Sequence, residues 1–94
     1  MPRTFPFNVA VGTAPIQIFA HNESRTGFVL CNRTAGQVCF IGVSSAITVT
    51  SNAVVRLLTN EILTYLKLEG DDPTKEIWAV GSAALVLDCL ESVG

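Results

Sequence analysis

Two stretches decide the fold: Val38-Cys39-Phe40-Ile41 and Leu85-Val86-Leu87. In neither is one alternate set of side chains polar. Successive side chains of a strand point to opposite faces, so runs like these suit strands covered on both sides. A small sandwich buries only one face of each sheet by itself. Loops or other subunits must then cover the outer faces, because soluble monomers rarely expose large contiguous apolar patches.

Working outward, the remaining apolar residues also come in short runs or alternate, and β-branched and aromatic residues dominate them. Strands are expected near 7–11, 15–21, 26–33, 36–42, 46–50, 54–58, 62–69, 75–80 and 84–91. Glycines at 12, 36, 42, 70 and 81, and Asn or Asp at 22, 32, 52, 60, 71 and 72, supply turns between them. The clearest turn is Glu69-Gly70-Asp71-Asp72-Pro73-Thr74. Ala53 to Leu63 partly fits helical spacing, but Ser51-Asn52 and Thr59-Asn60 read as turns bracketing a short strand. The expected fold is all-β: a small β-sandwich or β-barrel, jelly-roll-like, of about eight short antiparallel strands. Residues 1–7, with two Pro and two Phe, read as an extended N-terminal arm, and 8–94 as a single domain.

The chain has 94 residues, 49% of them hydrophobic and 15% charged, with a formal net charge of −2. Such a composition folds, and a chain this short forms one domain with a modest core of its own. Residues 1–60 carry four Arg and one Glu (+3), and residues 61–94 carry two Lys and seven acids (−5), which sum to −2. No basic run exists to neutralise a series of phosphates, so nucleic acid is not an expected partner. Charged and polar residues interrupt every long apolar run, so no membrane-spanning helix is expected. No apolar stretch with a cleavage site follows Met1 to Phe7, and no export signal is read there.

The three cysteines, Cys31, Cys39 and Cys89, are odd in number and sit in apolar company, as small buried hydrophobes do. With the lone His21 they lack the close pairing of structural zinc ligands, so no metal is expected. Asp71 and Asp72, adjacent before a Pro, lack the spacing of a calcium loop. Gly42-Val43-Ser44-Ser45-Ala46 begins like a nucleophile elbow but has Ala for the second Gly. No phosphate-binding glycine loop occurs, so no cofactor and no enzymatic activity are expected. Trp78 and Tyr65 are the candidates for a carbohydrate- or ligand-binding platform, the alternative reading from a different functional class. A short echo, Ala10-Val11-Gly12-Thr13-Ala14 and Ala79-Val80-Gly81-Ser82-Ala83, marks two strands that end in a Gly turn.

Three further stretches belong together: Ser24-Arg25-Thr26-Gly27-Phe28-Val29-Leu30-Cys31-Asn32, Val38-Cys39-Phe40-Ile41-Gly42-Val43-Ser44 and Ile47-Thr48-Val49-Thr50-Ser51. A basic residue opens a strand that ends in Asn, an aromatic–aliphatic–Gly strand end is followed by Ser, and a Val-Thr element comes next. With Ile77-Trp78-Ala79-Val80 and a last apolar strand, residues 15–91 resemble small β-rich virion proteins of tailed bacteriophages. The resemblance implies a non-enzymatic structural protein of a virion. Capsid decoration or cement is the leading role and a head–tail neck component the alternative. The implied partners are the major capsid protein or other virion proteins, and copies of the chain itself in a homo-oligomer. Phe5, Phe7 and Phe19 are the candidate capsid or subunit contacts.

Overall fold

The alternation and the turn residues produce eight strands in the computed structural model, which describes residues 3–48, 53, 55–66 and 73–94. They are β1 (Arg3–Val11), β2 (Ile16–Phe19), β3 (Arg25–Asn32), β4 (Cys39–Gly42), β5 (Val55–Leu57), β6 (Ile62–Leu66), β7 (Ile77–Gly81) and β8 (Leu85–Val93). One sheet has the order β1-β8-β3-β6 and the other β2-β7-β4-β5. Every neighbouring pair is antiparallel. Eight strands in two four-stranded sheets, with the chain passing from sheet to sheet, make a jelly-roll sandwich. Of the two forms the sequence allows, the sandwich is the one observed.

Some elements differ from expectation. No strand forms at 46–48, where the chain turns after β4, and residues 49 and 50 lie outside the described residues. The helical alternative over 53–63 is not taken: Val55–Leu57 pairs with Cys39–Ile41, and β-branched Val55 suits that place. Of the Glu69–Thr74 turn, Pro73 and Thr74 are described and form a turn. Residues 3–7, the described part of the N-terminal arm, are the first half of β1. They pair with β8 in unbroken register from Arg3 opposite Val93 to Val11 opposite Leu85. Pro6 is tolerated because β1 is an edge strand, where a missing N–H breaks no ladder.

The inward positions of both sheets form one core. Leu30, Cys39, Ala79 and Leu87 are fully enclosed, and Phe28, Val11 and Ile41 are nearly so. Four rings run through it. Phe7 meets Phe19 edge-on at 5.6 Å, Phe19 lies 5.1 Å from Phe28, and Phe28 stacks on Tyr65 at 4.9 Å with the planes 16° apart. Because Phe19 belongs to the second sheet and the other three to the first, the row ties the sheets together. Aromatic pairs in these geometries add about 0.5–1.5 kcal/mol beyond the area they bury.

Two polar side chains are buried with the core, one at each end of β3. Arg25 donates through Nε to Glu91 Oε2 at 2.7 Å, through Nη1 to the Pro73 and Lys75 carbonyls at 3.0 and 3.2 Å, and through Nη2 to the Ala20 carbonyl at 2.7 Å. Its guanidinium also lies 4.7 Å from the centre of the Phe19 ring. At the other end, Asn32 Nδ2 donates to the carbonyls of Gln37 and Leu57, and its Oδ1 accepts from the Thr34 N–H. Asn60, at a positive φ of 66°, donates its N–H to the Asn32 carbonyl and closes the turn before β6. Among the described residues no buried side-chain polar atom lacks a partner.

The echoed Gly turns meet in space. The Gly81 N–H donates to the Gly12 carbonyl at 2.8 Å, and a Cβ added to Gly81 would lie 2.5 Å from the Ala83 carbonyl oxygen and 3.0 Å from the Leu85 side chain. The second glycine is thus required by close packing.

Replacing Arg25 with Ala leaves the Glu91 carboxylate, the buried Pro73 carbonyl and the part-buried Lys75 and Ala20 carbonyls without their donor, and is expected to lower the unfolding free energy by about 3 kcal/mol in urea titrations. Arg25→Lys should recover only part of this, since a point-charge ammonium cannot reach four acceptors in the fork geometry. Asn32→Ala should cost about 1–3 kcal/mol by the same measurement, because the Leu57 carbonyl is left without its donor.

Candidate association surface

No constellation of catalytic side chains is assembled among the described residues. His21 is exposed, and its Nε2 lies 2.9 Å from Glu23 Oε1. No group of three or more His, Cys, Asp or Glu side chains is placed to hold a metal ion among those residues. Asp71 and Asp72 fall outside them. No helix is long and apolar enough to cross a membrane. Tyr65 is occupied by its stack on Phe28, and Trp78 is half-buried with its indole N–H donated to Glu76 Oε1 at 3.2 Å.

The three phenylalanines singled out as contacts fall in different surroundings. Phe19 is enclosed between Arg25, Phe7 and Phe28, and Phe7 is half-buried against it. Phe5, two residues before Phe7 on the same face of the edge strand, is 44% exposed. Alternation along β1 explains their shared direction, and the narrowing of cover toward the start of the strand explains the difference in exposure.

The surface that stands out is the outer face of the first sheet. Strand pairing places Val86 and Leu90 of β8, Val29 and Cys31 of β3 and Ile62 of β6 on the side away from the core, because Leu85, Leu87, Leu30 and Leu63 take the inner positions. Ile62 and Val86 are exposed, and the other three are half-buried. The charged pair here is Asp88 with Arg33, whose Nε donates to Asp88 Oδ2 at 2.7 Å. With its amide turned to donate, Asn8 gives a second hydrogen bond to Asp88 Oδ1 at 3.0 Å. The outer face of the second sheet is different. Val80 points outward there and is nonetheless buried, as is Ile47 in the chain that follows β4, and neither belongs to the core between the sheets. The chain itself therefore covers part of that face.

The cysteines divide in the same way. Cys39 and Cys89 face the core, where burial pushes each thiol up from 9.0 to about 12; Cys89 adds to the effect at Cys39, and Asp88 adds to it at Cys89. Cys31 lies on the half-buried outer face of β3. Sequence reasoning grouped all three as buried hydrophobes. The signal that separates them is strand parity: beyond the register shift at Arg25/Gly27, Cys31 is odd-numbered on a strand whose buried side chains are Phe28, Leu30 and Asn32.

No family model matches the chain, and no curated protein matches it. Among solved structures it is similar to one from work titled "Bacillus endospore appendages form a novel family of disulfide-linked pili". The two share 16% sequence identity and a TM-score of 0.57, over 98% of this chain and 84% of that one. At that identity the likeness establishes the fold. The capsid-decoration role expected from the sequence is overturned by this finding, since the matching structure is a bacterial endospore appendage and not part of a phage particle. The physical reason is that turn grammar and strand spacing specify a small sandwich, and the same sandwich serves unrelated assemblies.

Alkylation of the native protein near pH 8 should label Cys31 rapidly, with Cys39 and Cys89 reacting only on denaturation, as read by intact-mass analysis. An acid whose pKa is raised by folding keeps a proton that the unfolded chain loses first. Stability should therefore fall as pH rises from about 9 toward 12, by up to about 1.4 kcal/mol per pH unit for each core thiol, and Cys39→Ala should flatten that loss.

Proposed function

We propose that the chain is a non-enzymatic structural subunit that associates with copies of itself, in the manner of a building block of a surface appendage. The observation that carries this reading is the unequal finish of the sandwich. The first sheet presents an apolar outer face and, in β1, a nine-residue strand at an open edge. Proteins that remain single normally blunt such edges with short strands, bulges or charges. The edges of the second sheet are treated so: β2 has four residues and a register shift, and β5 has three residues. On β1 the blunting amounts to Arg3 at one end and Pro6 within it. The fold shared with an endospore appendage pilus supports the same reading, because a jelly roll of this size serves there as a component of a fibre.

Light scattering coupled to size exclusion, with negative-stain microscopy of the same samples, tests it. Mass should rise with concentration, and discrete oligomers or fibres should appear. A strict monomer at the highest soluble concentration would count against the reading.

A further inference from the structure

We infer that the outer face of the first sheet is the docking surface for a second copy of this chain, and that the two copies meet face to face about a twofold axis. This rests on the reading that the chain associates with itself, and it names the surface. Three observations point to it.

The first is that, among the described residues, the outer faces of the two sheets differ in cover. On the second sheet the outward Val80 is buried, whereas on the first Ile62 remains 63% exposed and Val86 44%. Val29, Cys31 and Leu90, each half-buried, share this face, so the apolar surface spans β8, β3 and β6 around the Arg33–Asp88 ion pair that lies between Leu90 and Val86.

The second is size. The four strands have nine, nine, eight and five residues; at about 3.4 Å rise per residue and about 4.8 Å between neighbours they cover about 500 Å² per copy. Two such faces together hide about 1,000 Å², about the threshold for a specific interface and the size of a weak, reversible pair.

The third is charge. Asp88 is neutralised in place by Arg33 and Asn8, so closing the face leaves no unpaired carboxylate to desolvate. Arg33 and Asp88 also stand side by side as opposite charges at 72% and 39% exposure. When the face meets its own copy in the reverse direction, each Arg33 can approach the other copy's Asp88. A face that is neutral overall and carries both signs is complementary to itself, and a self-complementary patch forms an isologous pair. Sheets packed this way keep their strands within about 30° of each other at a spacing of about 10 Å.

The native thiols supply the reporter. Cys31 is on the proposed interface and the two core cysteines are not, so the rate of Cys31 alkylation in the intact protein should fall as concentration rises, in step with dimer formation by light scattering. Val86→Lys and, separately, Ile62→Lys place a charge where the second copy would sit. Each should raise the dissociation constant by about tenfold or more and keep Cys31 equally reactive at all concentrations. Both sites are exposed in the single chain, so two independent variants guard against a folding defect, which circular dichroism would reveal. Val43→Lys, at a site 49% exposed in the loop after β4, should behave as wild type. If the wild type associates while Cys31 stays fully reactive and both lysine variants associate equally well, the copies join elsewhere, for instance by their sheet edges. That result overturns the face-to-face interface and leaves self-association standing. A wild type that stays monomeric overturns both.

Discussion

The buried guanidinium of Arg25 is the interaction on which the rest of the structure depends. It opens β3, a central strand of the first sheet, and from there reaches Glu91 of the adjacent β8, the carbonyl of Ala20 just after β2, and the carbonyls of Pro73 and Lys75 leading into β7. Strands of both sheets are thereby held at one end by one side chain. A planar group with five donors is the side chain suited to this, because four acceptors, one buried and three part-buried, are met at once. The Phe19 ring lies against the guanidinium, so the polar knot and the aromatic row through the core share a member.

Asn32 does the corresponding work at the far end of the same strand, with smaller means. Its amide ties the Gln37 and Leu57 carbonyls, and its backbone receives the Asn60 N–H. A strand anchored by Arg at one end and Asn at the other, with Phe28 and Leu30 between them pointing inward, is a complete structural unit. This is the pattern on which a resemblance of residues 15–91 to phage virion proteins was expected. Its physical content is architectural: it closes the two ends of a sandwich, and sandwiches that build different assemblies need the same closure. That is why the pattern pointed to the right fold and to the wrong assembly.

The hydrophobic content of 49% takes its meaning from where the chain spends it. One share fills the core between the sheets. Another, Val80 on the outward side of the second sheet and Ile47 in the chain after β4, is buried outside that core. Of the exposed large hydrophobics, Ile62 and Val86 lie on the first sheet's outer face and Phe5 on β1, while Ile16, Val43 and Leu58 lie on β2 and just after β4 and β5. A domain of this length has little core to spare, so exposed apolar area on one side is a cost unless another surface covers it. In the self-association we propose, that other surface is a second copy of the chain.

How much of this could be read from residues alone follows from the range of the interactions involved. The all-β class, the positions of most strands and the turns at Gly12, Gly36 and Gly81 were legible, because they depend on side-chain alternation and on local backbone freedom. Runs such as Val38 to Ile41 and Leu85 to Leu87 also announced strands apolar on both faces, but the cover expected on the outer side is missing at Val86, which stays exposed. The sequence does not say which sheet a strand joins, so it could not show that Phe7 and Phe19 meet across the core while Phe5 stays open, or that Cys31 faces away from Cys39 and Cys89. Those outcomes depend on pairing between residues far apart in the chain, such as Phe28 with Glu91 and Cys39 with Gly81. By itself the sequence determined the strands, through the period-two pattern of its side chains. Only the tertiary structure decided which apolar face its own chain would cover and which would be left open, because that depends on where distant segments come to lie.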